Sequence, residues 1–240
     1  MNNPSSPPTA SWFAQLGRRV TILWFIKSIG TVFWIAAFFI GYFWVLRNPI
    51  AEITVMPLTA LDHWLAFRPE ALVLYVSLWV YVSLPPALVK NFRELFSFGV
   101  ATLAMSLIGL GIFLFWPTAV PAFVFDVSGN PLLSILKGMD LTGNACPSLH
   151  VSFAVFSGIW MHRILREVQS PGAVLVLNWL WCAGIVYSTV ATRQHVVLDV
   201  LAGMVLGFAV AAAHVAGLRR FEARGAPAPA RTAIGRVPGA

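Results

Sequence analysis

The sequence predicts an all-α fold: an integral membrane bundle of six transmembrane helices with both termini in the cytoplasm. Three observations predict it. Charged residues make up 10% of the 240 residues, against roughly 25% in an ordinary soluble protein. Hydrophobic residues make up 58%, and the mean hydropathy is +0.78. No soluble domain of this length has enough interior to hide that much apolar surface. The apolar residues also form long continuous runs without the period-two alternation of a barrel strand, so the membrane crossings are helices. A soluble enzyme, a disordered chain and a disulfide scaffold are excluded.

Residues 1–19 are polar and Pro/Ser-rich and end in Arg18-Arg19, which reads as a flexible tail with a cytoplasmic anchor. The apolar run that follows is too long for a cleavable signal, and no small-residue cleavage site closes it. The first segment runs from Val20 to Leu46, broken by Lys27 near its start, where a lysine snorkels. The second, Ala71 to Val89, carries Pro85-Pro86, which bends or ends it. The third is Leu95 to Trp116. The fourth, Pro147 to Met161, is short for a bilayer, which places its start below the headgroups in a protein-lined cavity. The fifth is Ala173 to Ala191 and the sixth Val196 to Ala216. Thus 20–218 reads as one membrane domain, and 219–240, rich in Ala, Pro and Arg, as a second flexible tail.

Charge sets the orientation. Of the sixteen Lys and Arg, twelve fall on the side of the two tails and four (Arg47, Arg68, Lys137 and Arg193) on the other. The tails are therefore expected in the cytoplasm, with loops 47–70, 117–146 and 192–195 outside. The net charge of +7 has this origin, and no basic stretch interleaved with aromatics suggests nucleic acid. Cys182 lies in an apolar run and Cys146 in a loop, so no disulfide is expected. Compact size and short loops point to a bacterial inner membrane with the outer face in the periplasm.

Two groups carry chemistry. Asp199 is the one acidic residue inside these apolar segments, and such a residue needs a partner. His195 stands four positions earlier, on the same face if both are helical. The carboxylate then fixes the imidazole tautomer and leaves the other ring nitrogen basic. A structural pair at a helix end explains the same spacing. The second group is Cys146-Pro147-Ser148-Leu149-His150. Pro147 suits a first helical position, and the free N–H groups of Ser148, Leu149 and His150 would offer an anion site, with the Ser148 hydroxyl as a further donor. An ordinary capped helix start explains this segment alone. The topology puts His150 and His195 at the same end of two different helices. His162 and His214 fall at the opposite end, and His63 lies in an outer loop.

Residues 147–150 together with 188–203, from Ser188 through His195 and Asp199 to Gly203, resemble two signature blocks of the type-2 phosphatidic acid phosphatase superfamily, in its Pro-Ser-Leu-His form. The resemblance covers roughly residues 62–216. It implies six membrane helices, His195 as the nucleophile that becomes a phosphohistidine, Asp199 as its orienting group and His150 as the acid that protonates the leaving oxygen. It implies no metal or other cofactor. The family's first block, a lysine followed by Arg-Pro, has no match, and Ala122 follows the related segment Phe115–Pro121 where an arginine is expected. Thr189 stands where the third block has its arginine. Arg193 and, after it, Lys137 are the candidates to neutralise phosphate, although a headgroup contact or a solvated loop explains each. Asp62, Arg68 and Tyr75 resemble a family stretch before the second helix, and a surface salt bridge accounts equally for the first two. Gly203-x-x-x-Gly207 reads as a close helix contact.

The expected partners are a lipid phosphate or diphosphate and the bilayer. The expected activity is a metal-independent phosphatase at the outer leaflet. A headgroup phosphotransferase, similar to inositol phosphorylceramide synthases, and a non-catalytic relative remain as alternatives.

Overall fold

The computed structural model describes residues 10–123 and 143–225, so Lys137 lies outside the described residues. The chain is mostly helical. Helix α1 spans Trp12–Thr21, α2 Trp24–Arg47, α3 Ala60–Trp64, α4 Leu72–Val76 and α5 Leu78–Leu88. Helix α6 spans Phe92–Phe115, α7 Leu149–Glu167, α8 Gly172–Ala191 and α9 Val197–Gly225. Among the described residues, one two-residue parallel ladder interrupts the all-α picture: β1 (Thr54–Val55) pairs with β2 (Thr118–Ala119).

Among the described residues, five stretches are long and apolar enough to cross a membrane: Trp24–Arg47, Pro69–Leu88, Phe92–Phe115, Gly172–Ala191 and Val197–Leu218. Their outward faces carry large apolar side chains such as Phe33, Val205 and Phe208, which suits a hydrocarbon solvent. The sixth long helix, α7, differs from the expected short segment. Its 19 residues run past Met161 through His162, Arg163, Arg166 and Glu167, a length of about 28 Å at about 1.5 Å per residue. Its charged end is sheltered by ion pairs. Glu167 lies 3.1 Å from Arg19, 3.1 Å from Arg163 and 3.4 Å from Lys90, and Lys90 also reaches Glu94 at 3.2 Å.

Three other boundaries depart from expectation. Residues 12–19, expected in a flexible tail, belong to α1, which runs on to Thr21 and is capped by Ser11, whose hydroxyl accepts from Ala14 N–H at 3.3 Å. Leu23, in the left-handed region at φ 57°, turns the chain between α1 and α2 and divides the first apolar segment. Helix α9 continues to Gly225, into the stretch expected to be a tail. The second segment is a Pro69–Ala71 turn followed by α4 and α5. Pro85 and Pro86 cannot donate to the carbonyls of Tyr81 and Val82, and α5 ends two residues later.

Helix α7 is the centre of the bundle, with α5, α6, α8 and α9 around it. Met105, Phe156, Trp160 and Ile164 form the apolar core toward its C-terminal end. Leu78, Val151, Ala154, Ile185 and Val200 form a second one near its start. The α7–α9 contact is the closest. A Cβ on Gly203 would stand 2.4 Å from the Ser148 carbonyl oxygen, and one on Gly207 2.4 Å from that of Ser152. Ser152 Oγ donates to the Ser148 oxygen at 2.9 Å and lies 3.0 Å from the Gly203 oxygen, joining the two helices where the backbones meet. Helix α2 packs on the bundle through Phe38, Phe39 and Tyr42, yet only Lys27, Val45 and Leu46, at its two ends, are buried.

Candidate active site

The ends of α2, α6 and α8 and the starts of α7 and α9 converge at one end of the bundle. The local sequence explains how. Ser148 is the N-cap of α7, its hydroxyl accepting from Val151 N–H at 3.3 Å. Pro147, expected at the first helical position, lies before the cap, and the Cys146–Pro147 peptide is cis. Ser148 is wholly buried and its own N–H donates to the Asp199 carbonyl oxygen at 3.0 Å. Its N–H is therefore engaged and is not the free donor expected at this position. The N–H groups of Leu149 and His150 have no acceptor among the described residues, and two aligned amides at a helix start favour an anion.

Helix α8 ends in a Schellman motif. Arg193 N–H donates to Val190 at 2.9 Å, and Gln194 N–H donates to Thr189 at 3.0 Å. Arg193 takes the left-handed position, φ 58°, where glycine is usual. His195 N–H also donates to the Thr189 oxygen, at 3.0 Å, so the histidine is fixed on this turn. His195 precedes α9, whose first residue is Val197. It does not share a helical face with Asp199, as expected, but the turn brings the two together: Nδ1 lies 3.5 Å from Asp199 Oδ2.

That separation is longer than a good hydrogen bond. Asp199 Oδ2 accepts instead from Val196 N–H at 3.0 Å, which caps α9, and Oδ1 has no partner among the described residues. The carboxylate is wholly buried. His195 Nδ1 likewise has no hydrogen-bond partner among the described residues. A buried carboxylate and a buried ring nitrogen facing each other need only a small shift to bond, and such contacts tighten on substrate binding.

His150 is the second residue of α7, in its first turn. Its ring stacks on Tyr75, with centroids 4.0 Å apart and planes 11° apart. Its Nε2 donates to the Tyr75 carbonyl oxygen at 3.1 Å, since a carbonyl only accepts. Nδ1 is the nitrogen left for a reacting group. His150 and His195 line the same cavity, of about 670 Å³, together with Tyr42, Tyr75, Asn144 and Gln194.

No motif in the sequence singles out Asn144, Gln194 or Tyr42. Asn144 is held by a bridge to Thr118 and donates to the Tyr42 hydroxyl. Ala119 and Val120 also line this cavity, on the segment where the family's arginine is missing. The only signal for Asn144 and Gln194 is nearness in sequence to Cys146-Pro147 and to His195.

Arg193 does not line the cavity. Its Nη1 donates to the Asp62 carbonyl oxygen at 2.8 Å and its Nη2 to that of Leu65 at 2.7 Å, and its guanidinium covers the Phe123 ring. Asp62 is buried and forms no surface salt bridge with Arg68. Its Oδ1 accepts from Val197 N–H at 2.8 Å, and its Oδ2 from the Thr59 N–H and hydroxyl, each at 2.7 Å. One carboxylate thus caps both α3 and α9. Arg68 is exposed, and its N–H donates to Ala191 at 2.8 Å. Cys146 and Cys182 are buried free thiols. Burial pushes the Cys146 thiol up to about 11, with the Asp199 charge adding to the shift.

The two histidines line one cavity, with the buried carboxylate beside His195 and two open amides at the start of α7. A family model described as the PAP2 superfamily matches residues 67–222, which include every one of these groups. The chain belongs to the PAP2 superfamily. The superfamily generally comprises phosphatases, and membership brings phosphatase- or phosphotransferase-type chemistry on lipid phosphates. No curated protein and no solved structure matches the chain.

Proposed function

We propose that this PAP2 superfamily member is a lipid phosphate or diphosphate phosphatase that works through a phosphohistidine on His195. One observation carries the reading: His150 on α7 and His195 on the turn before α9 open on one cavity, and a buried carboxylate stands 3.5 Å from His195. With Nδ1 turned to Asp199, His195 Nε2 is the free nucleophile. It attacks phosphorus while the bond to the lipid oxygen breaks, and His150 Nδ1 gives that oxygen its proton. The proton on His195 Nδ1 is held by Asp199, which stabilises the charged ring as it forms. Water then attacks the phosphohistidine, gives a proton to His150 and releases phosphate, which restores both histidines. The amides of Leu149 and His150 face the charge that builds on the phosphoryl oxygens.

The charge distribution of the sequence supports six crossings, both termini in the cytoplasm and the site at the outer leaflet, periplasmic in a bacterial inner membrane. A cavity between helix ends lets a tail stay in an apolar environment while the phosphate reaches the histidines.

A second reading is headgroup transfer, in which a lipid alcohol replaces water. It is favoured by the neutral wall of the cavity beside the histidines, where Tyr42, Tyr75, Asn144 and Gln194 stand. A monoanionic phosphodiester needs less neutralisation there than a dianionic monoester.

The test is product formation by purified protein, read as phosphate release and lipid product, across a panel of lipid phosphates, diphosphates and phosphodiesters, with and without an added lipid alcohol. Release that vanishes in His195→Ala, with an acid-labile phosphoprotein trapped in the unsubstituted protein, is the expected result. Product formed only with the alcohol present would select transfer. No product in either case overturns both.

A further inference from the structure

We infer that the groove behind α2 receives a single extended hydrocarbon tail of the substrate, and that Lys27 closes its far end and so limits the tail length. The inference rests on the proposed lipid phosphate chemistry and names the tail that this chemistry accepts.

The cavity that holds His150 and His195 does not stop at them. It continues along one face of α2 through Phe38, Trp34, Thr31 and Gly30 to Lys27. These positions follow the spacing of one helix face. From Tyr42 to Lys27 the wall is about 22 Å long at about 1.5 Å per residue. Its opposite wall comes from α5, α6 and α7, with Val82, Phe98 and Phe153 among its side chains. Its volume of about 670 Å³ is that of one elongated ligand.

The groove runs beside α2, whose middle meets the bundle at Phe38 against Phe153 and at Phe39 against Trp79, while Trp34, Thr31 and Gly30 line its stretch down to the buried Lys27. The lysine end is fixed. Lys27 Nζ donates to the carbonyl oxygens of Arg19 at 2.6 Å, Ala87 at 2.9 Å and Val89 at 2.9 Å. Three donors meet three acceptors, so the ammonium is fully satisfied and ties α1, α2 and the end of α5 together. A methyl terminus has nothing to offer that would displace these bonds. A tail threaded from the histidines therefore ends at a polar stop.

Two glycines make the idea testable. Gly30 and Gly99 both line the groove, and a Cβ on either meets nothing within 4 Å. A larger side chain there would enter the groove instead of colliding with a helix. Gly30 is one turn from Lys27, and Gly99 stands about two turns into α6 from the same end.

The experiment compares rates on hexyl, dodecyl and hexadecyl phosphate for the unsubstituted protein, Gly30→Phe and Gly99→Phe. The ratio of hexadecyl to hexyl turnover is expected to fall at least about tenfold in Gly99→Phe and by less in Gly30→Phe. An unchanged ratio in both variants overturns the inference. So does an equal fall on all three esters, because a tail stop cannot act on a chain too short to reach it. A second measurement needs no turnover. Hexadecyl phosphate with a diazirine on its terminal carbon is photolysed on His195→Ala protein in detergent. Labelling is expected within residues 26–31 and 95–99. Label scattered over outward-facing positions overturns the groove. Label at the groove end with no phosphate release at any tail length overturns the phosphatase reading and leaves the groove standing.

Discussion

Arg193 and Asp62 brace each other across the site end of the bundle, the Arg193 Nη1 donating to the Asp62 carbonyl oxygen at 2.8 Å. Arg193 holds this position from the left-handed region, at φ 58°. A side chain with a Cβ costs roughly 1–2 kcal/mol there. The two guanidinium bonds to Asp62 and Leu65 offset that cost. Arg193→Ala keeps the strain and loses the bonds, whereas Arg193→Gly loses the bonds and relieves the strain. The melting temperature in detergent, followed by tryptophan fluorescence, is therefore expected to fall in both variants. The alanine variant should be less stable by about 1 kcal/mol. A normal melting temperature with a raised KM for lipid phosphate would instead make Arg193 a phosphate ligand.

Asp62 lies outside the cavity lining yet caps the helix that follows His195. Asp62→Ala leaves the N–H groups of Val197 and Thr59 and the Thr59 hydroxyl without their acceptor in a buried place. Each orphaned group costs about 1–3 kcal/mol. The variant is expected to melt well below the unsubstituted protein and to lose activity with it. Asp62→Asn keeps one oxygen and should fall between the two. An Asp62→Ala protein with unchanged stability and activity would contradict the double cap.

The sequence reveals what depends on apolar length and hides what depends on pairing. The runs around α2, α6, α8 and α9 are legible because a membrane crossing is written as continuous hydrophobicity. Helix α7 is read too short because Arg163, Arg166 and Glu167 look like a loop. Only the ion pairs of Glu167 with Arg19 and Lys90, residues far apart in sequence, show that the helix carries on. Helix α1 is hidden for the same reason: Arg18 and Arg19 look like an anchor in a mobile tail. His150, His195 and Asp199 are legible through spacing and family resemblance. The sequence-based geometry of His195 and Asp199 is nevertheless wrong in detail, since a four-residue spacing cannot tell a helix from a turn that precedes one. The Asp62 carboxylate reaches Val197 and its main-chain carbonyl reaches Arg193, and no local pattern announces either contact.

Asp199 has two tasks that substitution can separate. Its Oδ2 caps α9 at Val196 N–H, and the same oxygen faces His195. Asparagine retains an oxygen for the cap but removes the charge that stabilises a cationic His195 ring. Asp199→Asn is therefore expected to fold with a melting temperature near that of the unsubstituted protein while phosphate release falls about 10²–10⁴-fold. Asp199→Ala should lose stability as well. Equal activity in Asp199→Asn and the unsubstituted protein would remove the carboxylate from the mechanism.

Gly203 tests the contact that aligns His150 with His195, since α7 and α9 carry or adjoin them. A methyl on Gly203 meets backbone, the Ser148 oxygen at 2.4 Å, which has no rotamer to yield. Gly203→Ala is expected to destabilise by about 1–3 kcal/mol and to reduce activity by shifting Ser148 and its helix. Gly111, on α6, faces open space, and a methyl added there meets nothing within 4 Å. Gly111→Ala is therefore the control, with a melting temperature equal to or above that of the unsubstituted protein. Similar losses in the two variants would show that helix flexibility, not close approach, is what Gly203 provides.

Cys146 reports on the charge of Asp199 from outside the spanning helices. Burial is the larger cause of its raised pKa, about 11, and the nearby carboxylate adds to it. The thiolate is the reactive form, so below that pKa the residue is an unreactive thiol. Maleimide labelling of Cys146, measured in a Cys182→Ala background, is expected to be slow at neutral pH and to quicken as pH rises toward the thiol's pKa. Removing the carboxylate charge in Asp199→Asn lowers the thiol's pKa, so the rise should begin at lower pH. Burial remains in that variant, so the shift should be partial. A rise at the same pH in both proteins would mean that the Asp199 side chain exerts no charge effect on Cys146 and that burial alone raises the thiol's pKa.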